Sequence, residues 1–183
     1  MVKYHIEKIN INDLHQNDIN RIQLEMIPES SKILEIGCAT GYMSEFLRHE
    51  KKCHVTGVEL DSEQAKIARS KCTHLIEGSI TSAEIQKKID DLVLQDGAFD
   101  VIFMSQVIEH IAYPENILTK LHDWLGKDGF LLISTCNIAH WRCRFNLLAG
   151  KWHYDEYGIM VRTHLRFYTF DSFKKLLEDC NYS

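Results

Sequence analysis

The sequence has 183 residues, of which 45% are hydrophobic and 26% charged, and its formal net charge is −5. This composition predicts one soluble domain with a packed core. It excludes a disordered chain and a membrane-spanning one, since no run approaches the ~18 apolar residues of a membrane helix. Lysine and arginine are scattered, which argues against a nucleic-acid partner and favours a small or neutral substrate.

The six cysteines are dispersed, with no C-x-x-C pair, and the N-terminus carries no secretory signal. We therefore expect reduced thiols in a cytoplasmic protein. The whole chain, residues 1–183, is predicted to form a single domain. Its cofactor-binding core covers about residues 30–135, and a substrate lid covers about residues 136–169.

The predicted elements begin with a helix over residues 13–27, where apolar side chains recur at helical spacing until Pro28. Short β-rich runs then alternate with helical patterns. The predicted strands are residues 32–36, 54–59, 74–77, 99–104 and 130–135, and the helices between them are residues 42–49, 62–71, 82–92 and 114–125. This order predicts an α/β fold with a Rossmann-like, doubly wound sheet of about five parallel strands.

The regular alternation ends after residue 135, where an aromatic and basic stretch precedes a last predicted helix over residues 170–179. Aromatic rings stack on apolar faces of sugars, and Arg166 and His164 add hydrogen-bond donors, so residues 136–169 suit a substrate lid. The alternative is a surface loop that packs its aromatic side chains onto the sheet. We assign that packing role to Phe145, Leu147 and Leu148.

The clearest chemical signal is the sequence ILEIGCATGY over residues 33–42, a β-run that breaks into a turn of small residues before a helix. Gly37 and Gly41, with Ala39 between them, allow the backbone to approach a ligand closely. An ordinary strand-to-helix turn is the alternative interpretation.

An acid follows at the end of the next predicted strand, about twenty residues further on, in the sequence VTGVELD. A carboxylate there can accept both hydroxyls of a ribose, and we expect Glu59 to do so. Asp61 is expected to cap the following helix. Taken alone, Glu59 is equally compatible with a solvated loop acid.

Residues 35–41 resemble the glycine-rich first motif of the class I S-adenosylmethionine-dependent methyltransferases, residues 57–61 resemble their second motif, and residues 99–110 their fourth. Residues 121–134 resemble the helix and the fifth strand that follow. The resemblance runs in the right order over about residues 32–134, and it implies that the cofactor is S-adenosyl-L-methionine.

The resemblance also implies individual roles. Glu35 and Gly37 lie near the methionine moiety, Glu59 lies on the ribose, and Ser79 lies with Ile80 beside the adenine. The residues expected at the cofactor are Glu35, Gly37, Ala39, Gly41, Glu59, Leu60, Ser79, Ile80, Met104, Ser105 and Gln106.

Two positions depart from the pattern of the family. Ala39 stands where glycine is frequent, although its side chain is small. Ser79 stands where many members carry an acid, so a hydroxyl or backbone groups would have to serve the adenine amine.

The pair Glu109 and His110 resembles a position at which ubiquinone-pathway O-methyltransferases place acidic and imidazole groups. Some relatives hold a divalent metal with an acid three residues earlier, but Gln106 occupies that place, so we expect no metal site. His110 can act as a general base or as a structural histidine, and His164 is a second candidate base.

Residues 140–154 and 163–169 resemble an element of methyltransferases from bacterial polysaccharide and glycan pathways. The predicted function is therefore direct in-line methylation of a hydroxyl on a small molecule or a glycan. One alternative is a nicotinamide-dependent oxidoreductase, although Tyr42 fills the third glycine position of its motif. Another is a noncatalytic domain that binds S-adenosylmethionine.

Class I methyltransferases usually complete their sheet with a reversed hairpin after the helix predicted at residues 170–179. Only four residues follow that helix, too few for two strands and a turn. We expect a sheet without the hairpin, in a truncated chain or a shortened natural variant, with residues 136–169 or a neighbouring molecule shielding the fifth strand.

Overall fold

The computed structural model describes residues 9–183. Five parallel strands form one sheet in the order β3-β2-β1-β4-β5, which confirms the predicted Rossmann-like fold. The sheet of these residues contains no antiparallel hairpin. The strands are β1 (Lys32–Ile36), β2 (His54–Glu59), β3 (His74–Glu77), β4 (Phe99–Ser105) and β5 (Leu125–Ser134).

Helices connect the strands and cover both faces of the sheet. They are α1 (Ile19–Met26), α2 (Tyr42–His49), α3 (Ser62–Ala68), α4 (Ala83–Asp96), α5 (Pro114–Trp124), α6 (Trp141–Leu148) and α7 (Phe170–Asp179). No helix of the described chain is long and apolar enough to cross a membrane.

Local caps explain where the observed helices differ from the predicted ones. The first helix begins at Ile19 rather than near residue 13, because the Asp18 side chain accepts the backbone N–H groups of Asn20 and Arg21. The fourth helix continues to Asp96, where Gly97 adopts a positive φ of 86°. Helix α6 was not predicted from the sequence.

Alternate side chains of the central strands pack into two hydrophobic cores, one on each face of the sheet, as expected for a sheet covered on both faces. On one face, Leu34 and Ile102 are fully buried against α4, α5 and α7. On the other face, Ile33 and Val101 pack with residues of α1 and α2. The sheet is thereby fixed between two helical layers, with its carboxyl ends free to form a site.

The two ends of the segment over residues 136–169 are joined to each other. Asn137 and Tyr168 form an isolated parallel bridge just beyond β5, in which the Ile138 N–H donates to the Tyr168 carbonyl over 2.8 Å. The packing role assigned to Phe145, Leu147 and Leu148 is wrong, because these side chains are 65%, 48% and 83% exposed.

Candidate functional site

A cavity of about 810 Å³ opens at the carboxyl ends of β1, β2 and β4. The strand order reverses between β1 and β4, which is the point where open α/β sheets bind ligands. Ten of the thirteen predicted site residues line this cavity: Glu35, Gly37, Ala39, Glu59, Leu60, Ser79, Ile80, Ser105, Gln106 and His110.

The turn after β1 brings the backbone close to the cavity. Gly37, Ala39 and Gly41 all have positive φ values, of 76°, 51° and 71°. A Cβ atom at Gly37 would lie 2.5 Å from Cγ2 of Val107, so only glycine fits there. Gly41 lies behind the turn, where its backbone packs against α3 and its N–H donates to the Cys38 carbonyl.

The Glu59 carboxylate holds this turn in place. Its Oε2 accepts the Ala39 N–H over 2.7 Å, and its Oε1 accepts the Asp61 N–H over 2.8 Å. Each carboxylate oxygen keeps a further lone pair for a ligand hydroxyl. Asp61 caps α3, as predicted, by accepting the N–H groups of Glu63 and Gln64.

Glu35 is a buried acid in the cavity wall and accepts a hydrogen bond from the Ser44 hydroxyl. The pKa of Glu35 is raised to about 8, mainly by burial and also by Cys72 and Glu59, against the lowering effect of the Ser44 hydrogen bond. The carboxyl group is therefore mostly protonated at neutral pH. A cation placed beside it would favour its ionised form.

The end of β4 places two polar side chains on the opposite wall. Ser105 Oγ donates to Gln23 Oε1 over 2.9 Å, and Gln106 Nε2 donates to Ser134 Oγ over 3.1 Å. Gln106 has a φ of 55°, unusual for a residue with a side chain. Met104, predicted to lie beside the cofactor, instead has its side chain fully buried in the core below the cavity.

His110 lies on the cavity wall with a defined tautomer. Its Nδ1 is 3.0 Å from the Thr163 carbonyl oxygen. Because a carbonyl can only accept, Nδ1 carries the proton, and Nε2 of the neutral ring is left as a proton acceptor.

His164 is placed behind His110 rather than on the cavity wall. Its side chain is buried, its Nδ1 contacts the Ile159 carbonyl over 2.9 Å, and the two imidazole rings meet edge to face with centroids 4.8 Å apart. Burial lowers the pKa of His164, which favours its neutral form. The ring therefore supports His110 instead of facing a ligand.

The predicted lid touches the site through a short stretch. Leu165 is the residue of the range 136–169 that lines the cavity in the described structure. The N–H groups of Leu165 and Arg166 donate to the Glu109 carbonyl, and Arg166 Nε donates to the Ala112 carbonyl over 2.9 Å. The ring of Trp152 instead contacts that of Phe167, with centroids 5.5 Å apart.

The sequence interpretation missed two parts of the cavity wall. Ile19 and Asn20, at the start of α1, lie on one side of the cavity. Residues 111–113, with Asn116 and Ile117 of α5, lie on another. Pro114 at the first position of α5 marks that turn and was the signal available. Within residues 9–183, no three histidine, cysteine or acidic side chains come together to hold a metal.

The chain is similar to known methyltransferases. A family model described as a methyltransferase domain matches residues 12–183. The chain is 32% identical over 111 residues to a ubiquinone biosynthesis O-methyltransferase of Haemophilus ducreyi, covering 58% of this chain and 45% of that protein. It is 30% identical over 130 residues to the protein of the same name from Actinobacillus pleuropneumoniae, covering 65% and 54%. The chain thus spans about half the length of these curated relatives.

The solved structures add the fold. A SAM-dependent methyltransferase from Archaeoglobus fulgidus matches with a TM-score of 0.66 and 18% identity, over 89% of this chain and 66% of that one. At this identity the match shows a shared architecture, in agreement with the observed sheet.

Proposed function

We propose a function for this chain, which belongs to the class I methyltransferase family: it transfers a methyl group from S-adenosylmethionine to a hydroxyl of a small molecule or a glycan. The observation that carries the proposal is that one cavity joins the glycine turn after β1, the Glu59 carboxylate and the His110 imidazole. The relatives named as O-methyltransferases support oxygen as the methyl acceptor.

The residues of the cavity fit this cofactor. The turn lines the cavity at Gly37, Cys38 and Ala39, and its positive φ angles at Gly37 and Ala39 turn the backbone around the cavity edge, so a bound ligand would lie against it. Glu35 and Gly37 would lie near the methionine moiety, Glu59 near the ribose, and Ser79 with Ile80 near the adenine. Ser105 and Gln106 would lie on the far side.

When bound, S-adenosylmethionine supplies a methyl group that its sulfonium centre makes electrophilic. The task of the protein is to hold the acceptor oxygen in line and to exclude water. His110 takes the hydroxyl proton on Nε2, since the Thr163 carbonyl holds Nδ1 protonated. His164 keeps the His110 ring in its orientation through the edge-to-face contact.

A labelled transfer assay tests the function. The protein is incubated with methyl-labelled S-adenosylmethionine and a library of phenols, sugars and cell extracts, and labelled products are identified by mass spectrometry. We expect a methyl ether, and a labelled amine or carbon centre as the main product would contradict oxygen methylation. A thermal shift with NADH but none with S-adenosylhomocysteine would favour an oxidoreductase instead.

Two histidine variants separate the roles within the site. His110→Asn is expected to lower kcat by about 10²–10⁴-fold, since general base catalysis contributes that much. His164→Asn should lower it less, because asparagine removes the supporting ring but not the base. Equal losses in the two variants, or none in His110→Asn, would contradict the assignment of His110.

A further inference from the structure

Two cysteines meet behind the glycine turn. Cys38 lies in the turn and lines the cavity, whereas Cys72 follows α3, and both are almost fully buried. A Cβ atom built on Gly57 of β2 would lie 2.7 Å from Cys72 Sγ and 2.9 Å from Cys38 Sγ. The absence of a side chain at Gly57 thus lets the two sulfur atoms approach each other.

Hydrogen bonds make the thiols of Cys38 and Cys72 differ in acidity. The Cys72 thiol donates to Ser44 Oγ over 3.3 Å, and the Ser44 hydroxyl donates in turn to Glu35. The contact with Cys38 is the largest cause that lowers the pKa of Cys72 to about 7, and the same contact raises the pKa of Cys38, so Cys72 is the thiol of the pair that ionises more readily. Burial raises the pKa of Cys53, Cys136 and Cys180.

We propose that Cys38 and Cys72 are an oxidisable pair that hydrogen peroxide converts to a disulfide, and that this modification distorts the cofactor turn. The Cys72 thiolate attacks one peroxide oxygen, the O–O bond breaks, and a sulfenic acid and hydroxide form. Cys38 then attacks the sulfenic sulfur, the S–S bond forms, and the S–O bond breaks as water leaves. Overall, two thiols lose two electrons and two protons, and peroxide becomes two waters.

The cavity is the route by which peroxide would reach the pair. Cys38 lies on the cavity wall, and Cys72, which is 4% exposed, lies next to Cys38 and outside that wall. A disulfide holds its sulfurs at about 2.05 Å, much closer than two hydrogen-bonded thiols. Closing that distance draws Cys38 towards α3.

The movement acts on contacts that fix the turn. The N–H groups of Gly37 and Cys38 donate to the Val58 carbonyl over 2.8 and 3.2 Å, and that of Ala39 donates to Glu59 over 2.7 Å. Displacing Cys38 loosens these bonds, and formation of the disulfide also removes the S–H group that Cys72 donates to Ser44. The oxidised protein should therefore bind the cofactor more weakly, an effect that rests on the proposed function.

The disulfide is tested by peptide mapping. The full chain is treated with hydrogen peroxide, blocked with an alkylating agent and digested with trypsin without reduction. We expect residues 33–48 to be linked to residues 72–87, a link that dithiothreitol removes. Cys72→Ser should give no linked peptide, whereas the control Cys143→Ser, which removes the thiol on α6, should give the same link as the parent protein.

The effect on the turn is measured in two ways. Amide hydrogen exchange of residues 33–48 should be faster in the oxidised protein, and the Kd of S-adenosylhomocysteine should rise about tenfold or more, which is ~1.4 kcal/mol. Oxygen addition without the linked peptide would overturn the proposal, as would a linked protein with unchanged amide exchange. If reduced protein failed to bind S-adenosylhomocysteine, the cofactor proposal would fail, while mapping and exchange would still decide the thiol pair.

Discussion

The turn between β1 and α2 and the segment between α6 and α7 are held by different kinds of contact. In the turn, backbone N–H groups are bonded to the Val58 carbonyl and to the buried Glu59 carboxylate. In the segment, exposed rings such as Tyr157 contribute little burial, and Thr163 to Arg166 attach it through carbonyl contacts to the loop after β4. A close backbone fit defines the first region, whereas the second tolerates changes on its outer side.

Substitution of glycine by alanine should give the largest difference in the free energy of unfolding between the two regions. Gly37→Ala combines a positive φ with a clash against Val107, so we expect a loss of about 2–4 kcal/mol in the free energy of unfolding. Gly150→Ala has a similar φ of 67° but no atom within 4 Å, and it should cost only about 1 kcal/mol. Urea unfolding of both variants measures the difference, and equal costs would contradict the role of close packing at Gly37.

Removal of the Glu59 carboxylate should weaken the turn next. Glu59→Ala leaves the N–H groups of Ala39 and Asp61 without their acceptor, at a cost of about 1–3 kcal/mol in stability. Glu59→Gln keeps one carbonyl oxygen and should lose less. Calorimetry with S-adenosylhomocysteine then tests the ribose role, since unchanged affinity in a folded variant would remove Glu59 from the cofactor site.

The Glu35 carboxyl should make the stability of the turn region depend on pH. Its pKa in the folded protein is about 8, above the ordinary value of 4.5 for a glutamate carboxyl, so the folded state retains a proton that the unfolded state loses. Stability conferred by the protonated group is complete below about 4.5 and falls as pH rises through 8, by at most about 1.4 kcal/mol per pH unit. Urea unfolding from pH 5 to 8 should show a steeper decline than in Glu35→Gln, and parallel curves would contradict the shift.

The smallest effect is expected on the exposed face of α6. Leu148 is 83% exposed, so Leu148→Ser should change the free energy of unfolding by less than about 0.5 kcal/mol. The matched buried change, Leu47→Ser in α2, removes a fully buried side chain and should cause a large loss in the free energy of unfolding. A large loss in Leu148→Ser would show that the segment is packed more tightly than its exposure indicates.

The sequence predicted the fold and the cavity best where the local pattern of residues matches the packing observed in the structure. The apolar runs of β1 and β4 and the glycines of the turn predicted both the sheet and the position of the cavity, because such strands need cover on both faces. The acid at Glu59 was found by its spacing from that turn. These features depend on neighbours in sequence.

Other features depend on contacts between distant segments. The burial of His164 arises from the fold of its own loop and from His110, which lies 54 residues earlier in the numbering. The meeting of Cys38 and Cys72 requires β2 to present Gly57 between them, which spacing of the cysteines does not reveal. The exposure of Phe145 was missed because an apolar residue in an aromatic stretch was expected to pack onto the sheet.

The position of β1 at the centre of the sheet has a consequence for folding kinetics. Lys32 N–H donates to Asp100 Oδ2 across 68 residues of chain, and Ile33 pairs with Val101 in the same region. The β1 to β4 pairing must therefore close a long loop before its contacts contribute, and the entropy of that closure grows with the logarithm of loop length. Because proteins with many such distant pairings fold slowly, formation of this central pair is expected to limit the folding rate. During synthesis, the first two strands would leave the ribosome with one edge of β1 still unpaired.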